Sequence, residues 1–250
     1  MKTKKLYEEL EKMIPPQLSC SWDNDGLSVL PEPEHQTVRA LISLDVRGEV
    51  IEYAKSHGYD TVITHHPLIF SGLKELSGKT VVSDKAAQLI RAGIAAMSFH
   101  TRFDAIDGGV SDIFARTLGL TPSLKFGEGD CGRICEADPT DLDAFAKKTA
   151  GIFGTSHFFC EKGGDAVRRI AVCGGSAADL VPDALALGCD LMVCGEMRYH
   201  SAIDAADRGM SVICVGHYES EAPALARLQK LVSDAGIKDT YIYGVKQYAV

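Results

Sequence analysis

The chain has 250 residues, enough for one large domain or two ordinary ones. Apolar residues make up 46% and charged residues 24%, the balance of a soluble globular protein rather than a disordered one. The net charge of −8, with the only basic cluster at Lys2, Lys4 and Lys5, argues against nucleic acid as a partner, because tracking phosphates needs clustered Lys and Arg.

In chain order, Met1 to Met13 reads as a charged amphipathic helix with Leu6, Leu10 and Met13 on one face. This start lacks the apolar core of a signal peptide, and no window reaches the roughly 18 apolar residues of a membrane span. A cytoplasmic protein without a membrane partner is the expectation, with its eight cysteines mostly reduced. The cysteine spacing is not the tight pairing of a zinc knot. Cys173, Cys194 and Cys214 lie inside apolar runs and read as small hydrophobes.

Next come a strand over Arg39–Asp45, a helix over Glu49–His57 stopped by Gly58, and a strand over Asp60–His66. A helix over Asp84–Arg91, stopped by Gly93, and a strand over Ile94–Phe99 follow. The second half repeats this order. Its strands are expected at Arg169–Cys173, Asp190–Glu196 and Ser211–Val215, its helices at Asp179–Leu187 and Ser201–Asp207. Continuous apolar strands imply a sheet covered on both faces, and strand–helix alternation implies parallel pairing with right-handed crossovers. The predicted fold class is therefore α/β, with two related units of mainly parallel sheet. Pro122, Gly127, Gly129 and Pro139 suggest a boundary within 121–140, giving units at 1–125 and 126–250. Gly151 to Gly164 is expected to add an antiparallel strand pair.

In open α/β sheets, sites form beyond the carboxyl ends of the strands. His65-His66-Pro67 ends one strand, His100-x-x-x-Asp104 ends the next, and His217-x-x-x-Glu221 ends the equivalent strand of the repeat. The duplication aligns His100 with His217 and Asp104 with Glu221. His65, His66, Asp104, His217 and Glu221 form a mixed nitrogen–oxygen ligand set, which suits zinc, iron, manganese or cobalt better than calcium. Adjacent histidines on a strand diverge, so His65 and His66 serve one ion each. A metal site between the two units is the expectation.

These residues resemble the Nif-three-like dinuclear-metal family, whose members carry the label GTP cyclohydrolase 1 type 2-like. The likeness runs over Ser21-Trp-Asp-Asn-Asp-Gly-Leu27, Thr64-His-His-Pro67, His100-Thr-Arg-Phe-Asp104 with Gly108-Gly109-Val110, Gly195-Glu-Met-Arg-Tyr-His200 and Gly216-His-Tyr-Glu-Ser-Glu221. The length resembles the short form without an inserted domain. The resemblance implies two divalent ions per chain on the same five residues, with Glu221 bridging, and a homohexameric ring with the sites facing a cavity. Arg102 and Phe103 depart from the family's Asn and Leu, and Arg102 is expected to face solvent.

His100 is expected to orient a ligand rather than bind metal. Glu196 and His200 are candidates for the cavity wall. Asp45 is expected to cap the following helix, and Glu221 to start the final helix, where its charge favours the helix dipole. Trp22-Asp23-Asn24 either shapes the pocket or caps a turn, and Gly174-Gly175 is too short to identify a phosphate turn. The leading function is metal-dependent hydrolysis of a small molecule. The alternatives are a metal carrier or allocation factor without catalysis, and a ring-shaped interaction scaffold.

Overall fold

The computed structural model describes residues 1–244. In chain order the elements are α1 (Thr3–Met13), β1 (Gly26–Val29), β2 (Arg39–Ser43), α2 (Gly48–His57), β3 (Thr61–Thr64), α3 (Val81–Ala92), β4 (Ala95–Ser98), α4 (Thr101–Ala105), α5 (Val110–Thr117), β5 (Pro122–Phe126), β6 (Gly132–Asp141), α6 (Leu142–Phe153), β7 (Phe159–Glu161), β8 (Ala166–Ser176), α7 (Val181–Ala186), β9 (Leu191–Glu196), α8 (Tyr199–Asp207), β10 (Ser211–Cys214), α9 (His217–Glu221), α10 (Leu225–Asp234) and β11 (Asp239–Ile242). Among the described residues, packing groups them into two compact units, Met1–Phe103 with residues 225–244, and Asp104–Ala224. The sequence expectation instead divides the chain at 125/126. The difference has a packing cause on each side. Phe114, Ala115 and Leu118 of α5 join the core built on Ile170 and Val172, while β11 returns to pair with β2.

The first unit holds a five-stranded sheet in the order β1-β4-β3-β2-β11, parallel except for β1 at its edge. One face buries Leu41, Val62 and Ala96 against Val50, Ile51 and Ala54 of α2 and Leu89 of α3. Alternate residues such as Ile42, Ile63 and Met97 point to the other face, also fully buried. There α10 packs on β2 and against α1, and both helices bury leucines (Leu6, Leu10, Leu228).

The second unit holds a six-stranded sheet in the order β5-β6-β8-β9-β10-β7. Only β8, β9 and β10 run parallel, while β5–β6, β6–β8 and β10–β7 are antiparallel. This sheet is thus mixed rather than mainly parallel. The Pro- and Gly-rich stretch expected to be a boundary is the β5–β6 hairpin. Residues 151–164 supply one strand, β7, which pairs with β10 instead of forming a strand pair of its own. The sheet is buried on both faces, Ala171, Met192 and Val212 to one side and Val172, Val193 and Ile213 to the other.

The internal duplication survives in detail. β2-α2-β3-α3-β4-α4 and β8-α7-β9-α8-β10-α9 follow one plan. Asp60 before β3 accepts hydrogen bonds from the backbone N–H of Val38 and Arg39, and Asp190 before β9 does the same for Arg168 and Arg169. One carboxylate thus fixes the register at the start of each parallel pair. Among the described residues no helix is long and apolar enough to cross a membrane.

Candidate metal centre

In the first unit β3 stops at Thr64, and the chain leaves the sheet through His65 and His66. The Thr64 hydroxyl donates to the His66 carbonyl at 2.7 Å, and the His66 N–H donates to the Leu44 carbonyl at 2.9 Å. This turn frees both imidazoles from the strand's strict alternation, and their ring centroids stand 4.8 Å apart. His100 follows β4, with its ring 5.2 Å from that of His65 and 5.6 Å from that of His66. One ring nitrogen from each of the three lies within 4.8 Å of the others.

Each imidazole is turned by an oxygen on its Nδ1. For His65 this is the Phe99 carbonyl at 2.9 Å, for His66 Asp45 Oδ1 at 2.8 Å, and for His100 Asp23 Oδ1 at 3.0 Å. A carbonyl only accepts, so His65 carries its proton on Nδ1, and its neutral ring holds the lone pair on Nε2. The two aspartates favour the same tautomer of their partners. Imidazoles arranged in this way are typical metal donors. Burial opposes the charge on Asp23, but hydrogen bonds from His100 and Thr101 outweigh it and bring its pKa down to about 2.

Three sequence expectations change here. Asp45 does not cap α2, whose N-cap Arg47 has no side-chain bond; it holds His66 instead. Trp22-Asp23-Asn24 serves the start of α4. Asp23 also accepts from the N–H and hydroxyl of Thr101, and neighbouring Asp25 accepts from the His100 N–H. Arg102 is buried and does not face solvent. Its Nε donates to Asp25, its Nη1 to the Ile14 carbonyl and its Nη2 to the Tyr7 hydroxyl, with the guanidinium over the Phe99 ring. It ties α4 to α1.

The second unit supplies Asp104, His217, Glu221 and Glu196. Asp104 lies on α4, whose last carbonyls, from Asp104 to Ile106, accept from the buried Arg133 guanidinium. Arg133 also pairs with Asp112. His217 opens α9 and Glu221 closes it. Glu221 therefore does not start the final helix, and the expected N-terminal dipole benefit is not available to it. His217 stands between two glutamates, Nε2 at 3.2 Å from Glu221 and Nδ1 at 3.2 Å from Glu196. Burial first, then the neighbouring Asp104 and Glu221 carboxylates, push the Cys173 thiol up. His200 is exposed on the first turn of α8, and the structure does not bring it to this group.

Gly174-Gly175 acquires a role that two glycines alone do not announce. Gly175 has φ +62°, and a Cβ there would collide with Glu221 Oε1 and approach His217 Nε2 at 3.2 Å. Its N–H donates to the Ser220 hydroxyl, which donates to the His217 carbonyl. The bare backbone thus lets α9 press the face that carries His217 and Glu221 against the end of β8. Asp45, Arg133 and the glycine pair lie far in sequence from what they support, so only the fold links them to the site.

The sequence matches the Duf34/NIF3 (NGG1p interacting factor 3) family over residues 1–245. The chain belongs to the Duf34/NIF3 family. It is 33% identical over 248 residues to a protein of Lactococcus lactis named GTP cyclohydrolase 1 type 2 homolog, covering 95% of each chain. It is also 30% identical to a Protein NIF3 homolog of Schizosaccharomyces pombe, covering 92% of this chain and 88% of the relative. Among solved Duf34/NIF3-like folds, Staphylococcus aureus hypothetical protein SA1388 superposes with a TM-score of 0.85 at 23% identity, over 99% of both chains. Reduced HcgD from Methanocaldococcus jannaschii superposes with a TM-score of 0.82 at 25% identity, over 97% of this chain and 96% of that one.

Proposed function

We infer that His65, His66, Asp104, His217 and Glu221 bind a pair of divalent transition-metal ions, and that the protein is a metal-dependent hydrolase of a small molecule. The observation that carries this reading is the group of three imidazoles with an oxygen on each Nδ1, one ring nitrogen of each lying within 4.8 Å of the others. Imidazole and carboxylate donors together suit zinc, iron, manganese or cobalt. Glu221 is assigned as the bridging carboxylate, and His100 as the ring beside the ligands that orients and shields them. Bound divalent ions supply Lewis acidity and lower the pKa of water toward neutrality. The chain's own residues hold the donors in place. Asp45 fixes the tautomer of His66, and Asp23 that of His100. Glu196, on the exposed side of His217, is placed to accept or return a proton at a carboxylate oxygen.

The curated bacterial relatives carry the name GTP cyclohydrolase 1 type 2 homolog, which makes GTP the first substrate to try. The subunits are further proposed to assemble as a homohexamer, which light scattering at several concentrations tests; a persistent monomer would reject it. The deciding experiment reconstitutes the protein with each metal, measures ions per chain, and screens GTP, other nucleotides, phosphoesters and cyclic amides. Two ions per chain with turnover supports the reading. A maximum of one ion, with His65 or His66 dispensable, rejects the dinuclear centre. Two readily exchanged ions without turnover of any substrate would favour a metal carrier.

A further inference from the structure

In the sequence Cys173, Cys194 and Cys214 are small apolar residues in three strands. The register puts them in one row. Cys173 pairs with Cys194 across β8 and β9, and Cys194 with Cys214 across β9 and β10. All three belong to the buried cluster on one face of the sheet. The sulfurs of Cys194 and Cys214 come to 3.6 Å. In-register neighbours on adjacent strands stand about 4.8 Å apart, inside the roughly 4.4–6.8 Å that a disulfide spans between Cα atoms. The register therefore brings the two sulfurs close without moving either strand.

Access is one-sided. Cys214 lines a cavity of about 400 Å³ with His157, Phe159, Glu196 and Met197, whereas Cys194 lies behind it at 0% exposure. The hydrogen bond between the two thiols lowers Cys214 below the ordinary thiol range and, with burial, pushes Cys194 up. An oxidant in the cavity meets the Cys214 sulfur first, so Cys214 is suited to react first and Cys194, enclosed behind it, to resolve.

We propose that Cys194 and Cys214 are a site of reversible oxidative modification, converted to an intramolecular disulfide by a peroxide or a small organic disulfide entering this cavity. With hydrogen peroxide, the Cys214 sulfur attacks one oxygen and the O–O bond breaks. The departing hydroxide takes the thiol proton as water, leaving a sulfenic acid. The Cys194 sulfur then attacks the Cys214 sulfur and the S–O bond breaks. The leaving oxygen departs as a second water with the Cys194 proton. Two thiols lose two electrons and two protons, and the peroxide is reduced to two waters. With a small disulfide, Cys214 displaces one thiol to form a mixed disulfide, and Cys194 displaces the second. Both routes end in the same bond, which a dithiol reverses.

The full-length reduced protein is treated with hydrogen peroxide or oxidised glutathione, alkylated under denaturing conditions and cleaved before aspartates. Residues 190–203 then carry only Cys194, and residues 207–233 only Cys214. The expected product is these two peptides joined, lighter than their sum by two hydrogens, with both alkylated peptides restored by dithiothreitol. Cys194→Ser is expected to leave Cys214 as a sulfenic acid trapped by dimedone, or as a mixed disulfide with glutathione. Cys160→Ser, which removes the exposed thiol, is expected to leave the cross-link unchanged. Full alkylation of both peptides after oxidation would overturn the proposal. So would a Cys173–Cys194 link, or oxidation confined to Cys160. The map of the unsubstituted protein decides by itself, whether or not a serine variant folds.

Discussion

Beyond β3 and β4 the first unit gathers three imidazoles, whereas beyond β9 and β10 the second sets one imidazole between two carboxylates. The strand-and-helix plan is shared, down to the aspartates before β3 and β9. What differs is how far the donors are enclosed. In the first unit His65 is fully buried, and the His66 and His100 side chains are 20% and 17% exposed. In the second, His217 is 36% exposed and Glu196 59% exposed. A repeated scaffold fixes where side chains emerge, and the local packing decides how enclosed they are. His65 in the first unit is thus the more enclosed imidazole, and His217 with Glu196 in the second the more exposed pair, although Glu221 beside them is buried.

The largest expected effects test the supports rather than the donors. Each unit buries one arginine beside α4, Arg102 in the first and Arg133 in the second. Arg102→Leu leaves Asp25 as a buried, poorly compensated charge, and Arg133→Leu leaves Asp112 with only the exposed Arg116 as a cation. Each loss is expected to cost about 3–5 kcal/mol, read by denaturant unfolding of the metal-free protein. If one variant loses less than about 1 kcal/mol, that unit does not depend on its arginine, and the symmetry of the two supports fails.

A smaller effect is expected at the donors. Glu221→Ala is predicted to lower metal content more than His100→Ala does, with circular dichroism unchanged, because Glu221 ends the five-residue helix α9 and belongs to none of the apolar core clusters. Retention of two ions by Glu221→Ala would remove the bridging role; unfolding would make the residue structural first. Next come the anchors. Asp45→Asn is expected to cost about 10–100-fold in metal affinity, the usual range for groups that orient a ligand. Glu196→Gln, on the exposed side of His217, should cost only a few-fold. Chelator competition measures both. Equal losses would erase the proposed contrast between an enclosed and an exposed half.

Much of the fold was legible because its central strands are uninterrupted apolar runs repeated in the same order. The remainder was hidden for physical reasons. β11 is half-exposed and pairs with β2, some 200 residues earlier in the chain, so local periodicity carries no trace of its partner. The β5–β6 hairpin uses the same Pro and Gly residues that mark a linker. At the site, the polar residues at strand ends stood out because apolar strands surround them. Arg102 did not, since its burial depends on Asp25 and Tyr7, far from it in sequence. Glu221 was misplaced at a helix start because Ala222-Pro223 resembles a first turn, whereas α9 ends there.

The last expected effect concerns acid, and it probes the first unit alone. Asp23 is held at a pKa of about 2, against an ordinary value of 3.8. A carboxylate depressed on folding stabilises the native state fully above its unfolded pKa. That contribution is lost as pH falls through the folded value, so the window runs from about pH 4 down to about pH 2. The side chain is fully buried, and the shift corresponds to a contribution on the order of 2 kcal/mol. Asp23→Asn keeps the shape of the group but cannot titrate. Unfolding of the metal-free variant is therefore expected to be less pH-dependent across that window than unfolding of the parent. The two stabilities should converge as Asp23 becomes protonated, because the native carboxylate then loses its bonds to His100 and Thr101 as charged interactions. A parallel pair of stability curves would show that Asp23 titrates normally. His100 would then lack the anchor assigned to it in the first unit.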